Sequence, residues 1–199
     1  MALFKNIVRE SVEFGGRTLT METGRLAKQA AGSVLVTYGD CVVLVTVCTT
    51  YSPRAGMSFF PLVVDLIEKS YAAGKLPGGF FKREGRPTSE AVLSSRLIDR
   101  PIRPLFPEGF MNEVQVVATV LSADPEVDPG LVGLIGTSAA LTISDIPWNG
   151  PVAGCGVGRF DGEWVANPSY QVLAESECDL LLAARPDGIV MVEGALNEL

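Results

Sequence analysis

Apolar and polar positions along the chain fall into short alternating runs, punctuated by glycine and proline. Residues 13–22 alternate around Gly15-Gly16, which predicts a β-hairpin turning at the glycine pair. Residues 33–38 and 41–49 are β-branched runs joined around Gly39-Asp40, a second and stronger hairpin. The run CVVLVTVC is apolar almost throughout, so its strand is expected to be central and covered on both faces. Cys41 and Cys48 lie an odd number of residues apart and so point to opposite faces of it. Residues 59–66 and 114–121 read as further strands.

Between those two, the period changes. Thr88, after Pro87, can cap a helix running through Arg100, with Glu90 in its first turn and Pro101 ending it. Leu93, Leu97 and Ile98 would form its buried side. Asp128-Pro129 pairs a cap with a proline at the first helical position, opening an apolar helix through about Leu141. Its Gly133 and Gly136 suit close packing against a sheet. Residues 152–160 and 163–166 form a hairpin around Asp161-Gly162. Residues 178–184 and 189–193 form the last, turning at Pro186-Asp187-Gly188, and the closing GALNEL offers the start of a new helix. Hairpins and helices mixed without a regular βαβ repeat predict an α+β fold with a mixed sheet.

Composition narrows the class. A chain of 199 residues, 47% hydrophobic and 20% charged, has the make-up of a globular domain rather than a disordered one. The opening MALFKNIVRESVEFGG breaks its apolar runs with Lys5, Arg9 and Glu10, which leaves no signal-peptide core. No run of about eighteen apolar residues is present to span a membrane. The four cysteines are scattered, with no CxxC pair and no histidine to join them, so buried reduced thiols of a cytoplasmic protein are expected rather than zinc. Lack of histidine also removes the usual general base and any Ser-His or Cys-His nucleophile.

Charge changes the picture most. The net charge of −7 argues against a nucleic-acid partner only until its distribution is examined. Residues 71–110 hold seven of the sixteen Lys and Arg residues against four carboxylates, a +3 island in a remainder of −10. Its loop, GKLPGGFFKREGRP, fails the Walker pattern because Gly74-Lys75 is followed by Leu76, and it is not GxGxxG. Phe80 and Phe81 are adjacent and cannot both face one core if the segment is extended. Rings so placed can stack on bases, each worth roughly 1–3 kcal/mol whatever the base, with Lys82, Arg83 and Arg86 on the flanking phosphates. Anchoring the loop to its own domain is the competing role. Arg96 and Arg100 share a helix face, and Arg103 follows across Pro101. Three guanidiniums in a short arc suit phosphates. They equally suit ion pairs with Glu90, Asp99 or Glu108, of which Arg96 with Asp99 is the readiest. Asp124, Glu126 and Asp128 fit turn and cap roles better than a metal cluster. Asp179, beside Glu175 and Glu177, reads as a solvated acid at a strand start.

The runs AGSVLVTYGDCVVLVTV, LPGGFFKREGRPTSEAVLSSRLIDRPIRPLFPEGF and NEVQVVATVLSADPEVDP resemble the first ribonuclease-PH-like core domain of bacterial polynucleotide phosphorylases. IGTSAALTISDIPWNGPVAG and NPSYQVLAESECDLLLAARPDGIVMVEG continue the likeness over nearly the whole chain, residues 1–199. The resemblance implies a two-layer α+β fold with a mixed sheet packed on helices. It implies a phosphorolytic 3′-to-5′ exoribonuclease of mRNA decay, a homotrimeric ring threaded by single-stranded RNA, and possible partners in an RNA-decay assembly. The family's helical domain, second core and C-terminal RNA-binding domains would lie outside this segment.

The family's Mg²⁺ and phosphate sites belong to that second core. There, an Asp is followed six residues on by another Asp and two later by Lys; here Leu173, Asp179 and Leu181 occupy those places. Gly136-Thr137-Ser138, at the family's phosphate loop, is followed by Ala139-Ala140 and looks like helix packing. The resemblance thus implies no catalytic or metal-binding residue here. It places Phe80, Phe81, Lys82 and Arg83 on a loop at the ring's constriction, with Arg86, Arg96, Arg100 and Arg103 on the same basic lining. A purely structural ring subunit and an autonomous ribonuclease-PH-like enzyme are the alternatives.

Overall fold

The turn signals become chain reversals in the computed structural model, which describes residues 7–56, 58–80 and 82–196. Strands β1 (Val8–Phe14) and β2 (Arg17–Thr23) turn at Gly15-Gly16, both at positive φ. β3 (Gly32–Tyr38) and β4 (Cys41–Thr49) pair in register from Tyr38 opposite Cys41 to Gly32 opposite Val47. β5 (Leu62–Ile67) begins later than the alternation suggested, and helix α1 (Ser89–Ile102) carries the chain over to β6 (Val114–Ser122). These six strands form one sheet in the order β1-β2-β3-β4-β6-β5. Only the β5–β6 pair is parallel, as a helical crossover between neighbours allows, so the sheet is mixed.

β4 is central, but it is not equally covered on both faces. Cys41, Val43, Val45 and Val47 are fully buried under the helices, whereas Val42, Leu44 and Thr46 on the other face are half-buried. An apolar run reports that a strand is internal to its sheet; it does not report which layers lie above and below. Cys48 is exposed and Cys41 buried, so the two thiols do face opposite ways.

Helix α1 starts where its cap placed it, with Thr88 Oγ1 accepting from the Ala91 N–H at 3.0 Å. Two expectations for it fail. Pro101 lies inside the helix, because the Arg103 N–H still reaches Asp99 O and the chain winds on through a 3-10 turn at Arg103–Leu105. Leu93 is 57% exposed; the buried stripe is Ala91, Ile98, Pro101 and Ile102, with Leu97 partly buried beside it. Ser95 belongs to that stripe, accepting from Leu66 N–H at 2.8 Å and donating to Ala91 O at 2.7 Å. A paired hydroxyl on the core side disguised the face.

Helix α2 (Pro129–Thr142) is capped by Asp128, whose Oδ1 accepts from Gly130 N–H at 2.7 Å. It is buried on nearly every side. A Cβ at Gly136 would lie 2.7 Å from Val45 Cγ2 and 2.8 Å from Val36 Cγ2, so only glycine lets the helix sit this close to the sheet. The far side of α2 meets a second, antiparallel sheet of β7 (Ala153–Phe160), β8 (Glu163–Ala166), β9 (Cys178–Arg185) and β10 (Gly188–Leu196), ordered β10-β9-β7-β8. A single turn, α3 (Tyr170–Leu173), lies between β8 and β9. Gly194 to Leu196 extend β10 and do not begin a helix, because they continue the ladder opposite Leu180, Asp179 and Cys178.

Candidate nucleic-acid interface

The basic stretch leaves the sheet at the end of β5 and re-enters it through α1. Its outgoing arm is fixed first: the 3-10 turn Ser70–Ala73 is held to the end of β6 by Ala123 N–H donating to Ala72 O at 2.9 Å. The returning arm, Glu84 to Pro87, delivers the chain to the Thr88 cap. Between the arms, β5 and the exposed side of α1 lies a groove of about 910 Å³.

Arg86, Arg96 and Arg103 line that groove, together with Asp65, Glu68 and Asp99. Arg86 and Arg96 are exposed, and neither takes part in a salt bridge among the described residues. Arg103 is committed. Its Nε and Nη2 clamp Asp99 at 3.0 and 2.7 Å, Nη2 also donates to Leu62 O at 3.1 Å, and the guanidinium lies 6.0 Å from the Phe60 ring centre. In place of the Arg96–Asp99 pair that the ion-pair alternative offered stands an Arg103–Asp99 one, which a helix continuing past Pro101 brings to the favourable i,i+4 spacing. Arg100 points away from the groove and pairs with Glu193 Oε2 of β10 at 2.8 Å.

At the loop tip Phe80 is 93% exposed. Lys82 holds a left-handed backbone at φ 49°, uncommon for a residue with a side chain, and both it and Arg83 are exposed. Phe81 lies outside the described residues. The structure thus brings Arg86, Arg96 and Arg103 to one groove, sets Phe80, Lys82 and Arg83 on the loop beyond it, and places Arg100 elsewhere.

A second cavity, of about 260 Å³, opens between α1, the start of α2 and the second sheet. Leu173, Asp179 and Leu181 all line it, so three positions related only by spacing in the sequence share one space. Asp128 and Tyr170 are there too. Burial raises the Asp128 carboxyl above its ordinary value, against the pull of N–H groups from Gly130 and Leu131. Burial, with the charges of Asp128 and Asp179 nearby, raises the Tyr170 hydroxyl strongly.

These residues do not fit the Mg²⁺ site of the implied family. No three metal-ligating side chains converge among the described residues. Asp124 and Asp128 serve as turn and cap acceptors, for Glu126 N–H at 2.9 Å and Gly130 N–H at 2.7 Å. Ser138 is buried, accepting from Val152 N–H at 2.9 Å, in keeping with helix packing. Sequence reasoning did not find α3, Tyr170 or Glu193 in this region. Glu193 becomes visible only when β10 is placed beside α1; for α3, the turn residues Asn167-Pro168-Ser169 were the available signal.

Fold and groove together define an α+β domain with a groove on one side of a mixed sheet, lined by both basic and acidic side chains. The chain belongs to the 3′ exoribonuclease family, whose domain 1 it matches over residues 15–147. It is 57% identical over 188 residues to a polyribonucleotide nucleotidyltransferase of Geobacter sulfurreducens, covering 94% of this chain and 27% of that protein. The enzyme of the same name from Sorangium cellulosum is 59% identical over 191 residues, covering 96% of this chain and 25% of that protein. The chain therefore spans about a quarter of the length of these relatives. Among solved structures the fold is shared with rice Rrp46 (TM-score 0.66, 14% identity, 97% of this chain and 82% of that one). It is also shared with an Archaeoglobus fulgidus exosome chain (TM-score 0.65, 16% identity, 98% of this chain and 78% of that one).

Proposed function

We propose that this chain is the first core of a polyribonucleotide nucleotidyltransferase, and that it guides single-stranded RNA toward a phosphorolytic site that it does not itself contain. The observation that carries this reading is the groove: Arg86 and Arg96 lie along it without salt-bridge partners among the described residues, below a loop whose Phe80 is almost wholly exposed. Unpaired guanidiniums suit phosphates, and an exposed ring suits a base. The convergence of Leu173, Asp179 and Leu181 on one cavity supports the absence of chemistry here, because two of the three positions are aliphatic. Of those three positions only one keeps a carboxylate and none a lysine, too little to reproduce a metal clamp on a transferring phosphoryl group. Phosphate and Mg²⁺ then act in a second core, within a cytoplasmic homotrimeric ring that can join an RNA-decay assembly.

For Arg100 and Arg103 a structural role has its own support. Both spend their charge on carboxylates, Glu193 and Asp99. Arg103 shapes the wall of the groove and Arg100 ties α1 to β10, rather than either holding the strand.

The test is the Phe80→Ala, Phe81→Ala double variant, measured by anisotropy with a fluorescent oligoadenylate. A fall of about fivefold or more in affinity is expected, the lower end of one missing stack. Wild-type affinity in that variant would remove the aromatic loop from the RNA path.

A further inference from the structure

Residues 74–79 form a glycine-rich excursion beyond the Ser70 turn: Gly74, Gly78 and Gly79 stand in open space, and Leu76 is 90% exposed. Glu84 is the only carboxylate between Lys75 and Arg86, and reads as a stray charge in a basic run. In the fold it is a tie. Its Oε1 accepts from Ser70 N–H at 2.9 Å and its Oε2 from Ser70 Oγ–H at 3.4 Å, so both oxygens reach across to the outgoing arm. Ser70 opens the 3-10 turn that Ala123 fastens to the sheet through Ala72. Beyond it, Thr88 Oγ1 donates to Glu68 Oε2 at 3.4 Å, while Thr88 itself caps α1. Two rungs, 70 to 84 and 68 to 88, thus close the base of the loop, and both Glu68 and Glu84 lie on the wall of the groove.

We propose that Glu84 is a positioning residue: it pins the returning arm to the Ser70 turn and so holds Phe80, Lys82 and Arg83 over the groove that carries Arg86 and Arg96. This inference rests on the RNA-guiding reading above. Charge alone would make Glu84 a hindrance. A carboxylate between Lys82, Arg83 and Arg86 opposes phosphate binding, so its neutralisation should tighten the grip on RNA. Positioning demands the opposite sign.

Two variants separate the effects. Glu84→Gln removes the charge and weakens the tie. Ser70→Pro removes the donating N–H with no change in charge, at the first position of a helical turn where proline is tolerated; Lys69 before it is already extended (φ −120°, ψ 144°), as proline requires. Amide hydrogen exchange of Ala72, Gly74 and Lys75, whose N–H groups bond Lys69 O, Tyr71 O and Ser70 O, is read first, without RNA, and oligoadenylate affinity second. Exchange at these amides about fivefold faster, the worth of a typical hydrogen bond, with RNA bound less tightly in both variants, is the expected result. Unchanged exchange would overturn the tie. Faster exchange with equal or tighter RNA binding would overturn the positioning role while leaving the RNA reading intact. A wild-type protein that does not bind the oligomer at all would remove both.

Discussion

Cys41 and Cys48 sit on the same strand, yet one is buried and the other exposed. Cys41 is completely buried, and burial raises its thiol to about 11, so its thiolate is scarce at neutral pH. Cys48 is exposed at the end of β4. Brief treatment of the native protein with iodoacetamide should therefore label Cys48 first, with Cys41 and the buried Cys178 labelled only on unfolding; peptide mass spectrometry reads the order. Equal labelling of Cys41 and Cys48 would contradict the face assignment of β4. That assignment needed only the parity of two positions, which is why it was legible in advance. The partner of Arg103 was not. Asp99 is four residues away on a helix that proline should have stopped, and the pairing appears only because the backbone winds past Pro101.

Helix α2 shows what a cap does when it is also half-buried. Asp128 serves the first turn, but its environment favours the protonated form, with burial as the main cause. Its proton is held more tightly in the folded chain than in the unfolded one. The folded chain then binds more protons across the window from the ordinary carboxylate value of 3.8 up to the raised one, and stability falls as pH rises through it. Asn keeps the accepting oxygen and removes the ionisation. Asp128→Asn should thus match or exceed wild-type stability at pH 7, with the advantage shrinking toward pH 3, in urea unfolding. Asp128→Ala, which loses the cap, should cost about 1 kcal/mol near pH 3 and less at pH 7, because it too removes the ionisation. A wild-type protein more stable than Asp128→Asn at pH 7 would reverse the sign of the burial effect. Caps, glycine contacts and hairpin turns were all legible because each is a local rule. The exposure of Leu93 was not, because Ser95 takes a core position that hydrophobicity counts as solvent-facing.

At the scale of the molecule, an acidic chain with pI near 4.7 carries a groove in which Arg86 and Arg96 have no salt bridge among the described residues. Local geometry outweighs net charge because screening confines each charge to about 10 Å in ordinary salt. Neutralising Arg86 and Arg96 together should weaken RNA binding and make the log–log salt slope shallower by about 0.7 for each phosphate no longer held. The same change at Arg100, which faces Glu193, should leave that slope unaltered; titrations at several salt concentrations compare them. A shared slope for all variants would deny the groove its role. The basic island was visible as a run of charge. Its division into groove-lining and ion-paired members depended on β10 lying beside α1, a meeting of residues 100 and 193 that no local pattern encodes.

The burial of α2 has a consequence for how the protein comes apart. Leu131 and Leu134 meet Gly154 of the second sheet, while Gly136 touches Val36 and Val45 of the first. One helix thus supplies the inner surface of both sheets, and neither sheet retains a complete interior once it is withdrawn. Two sheets that look separable in their strand order should therefore melt in a single calorimetric transition, because the element that would mark a boundary between them is the one they share.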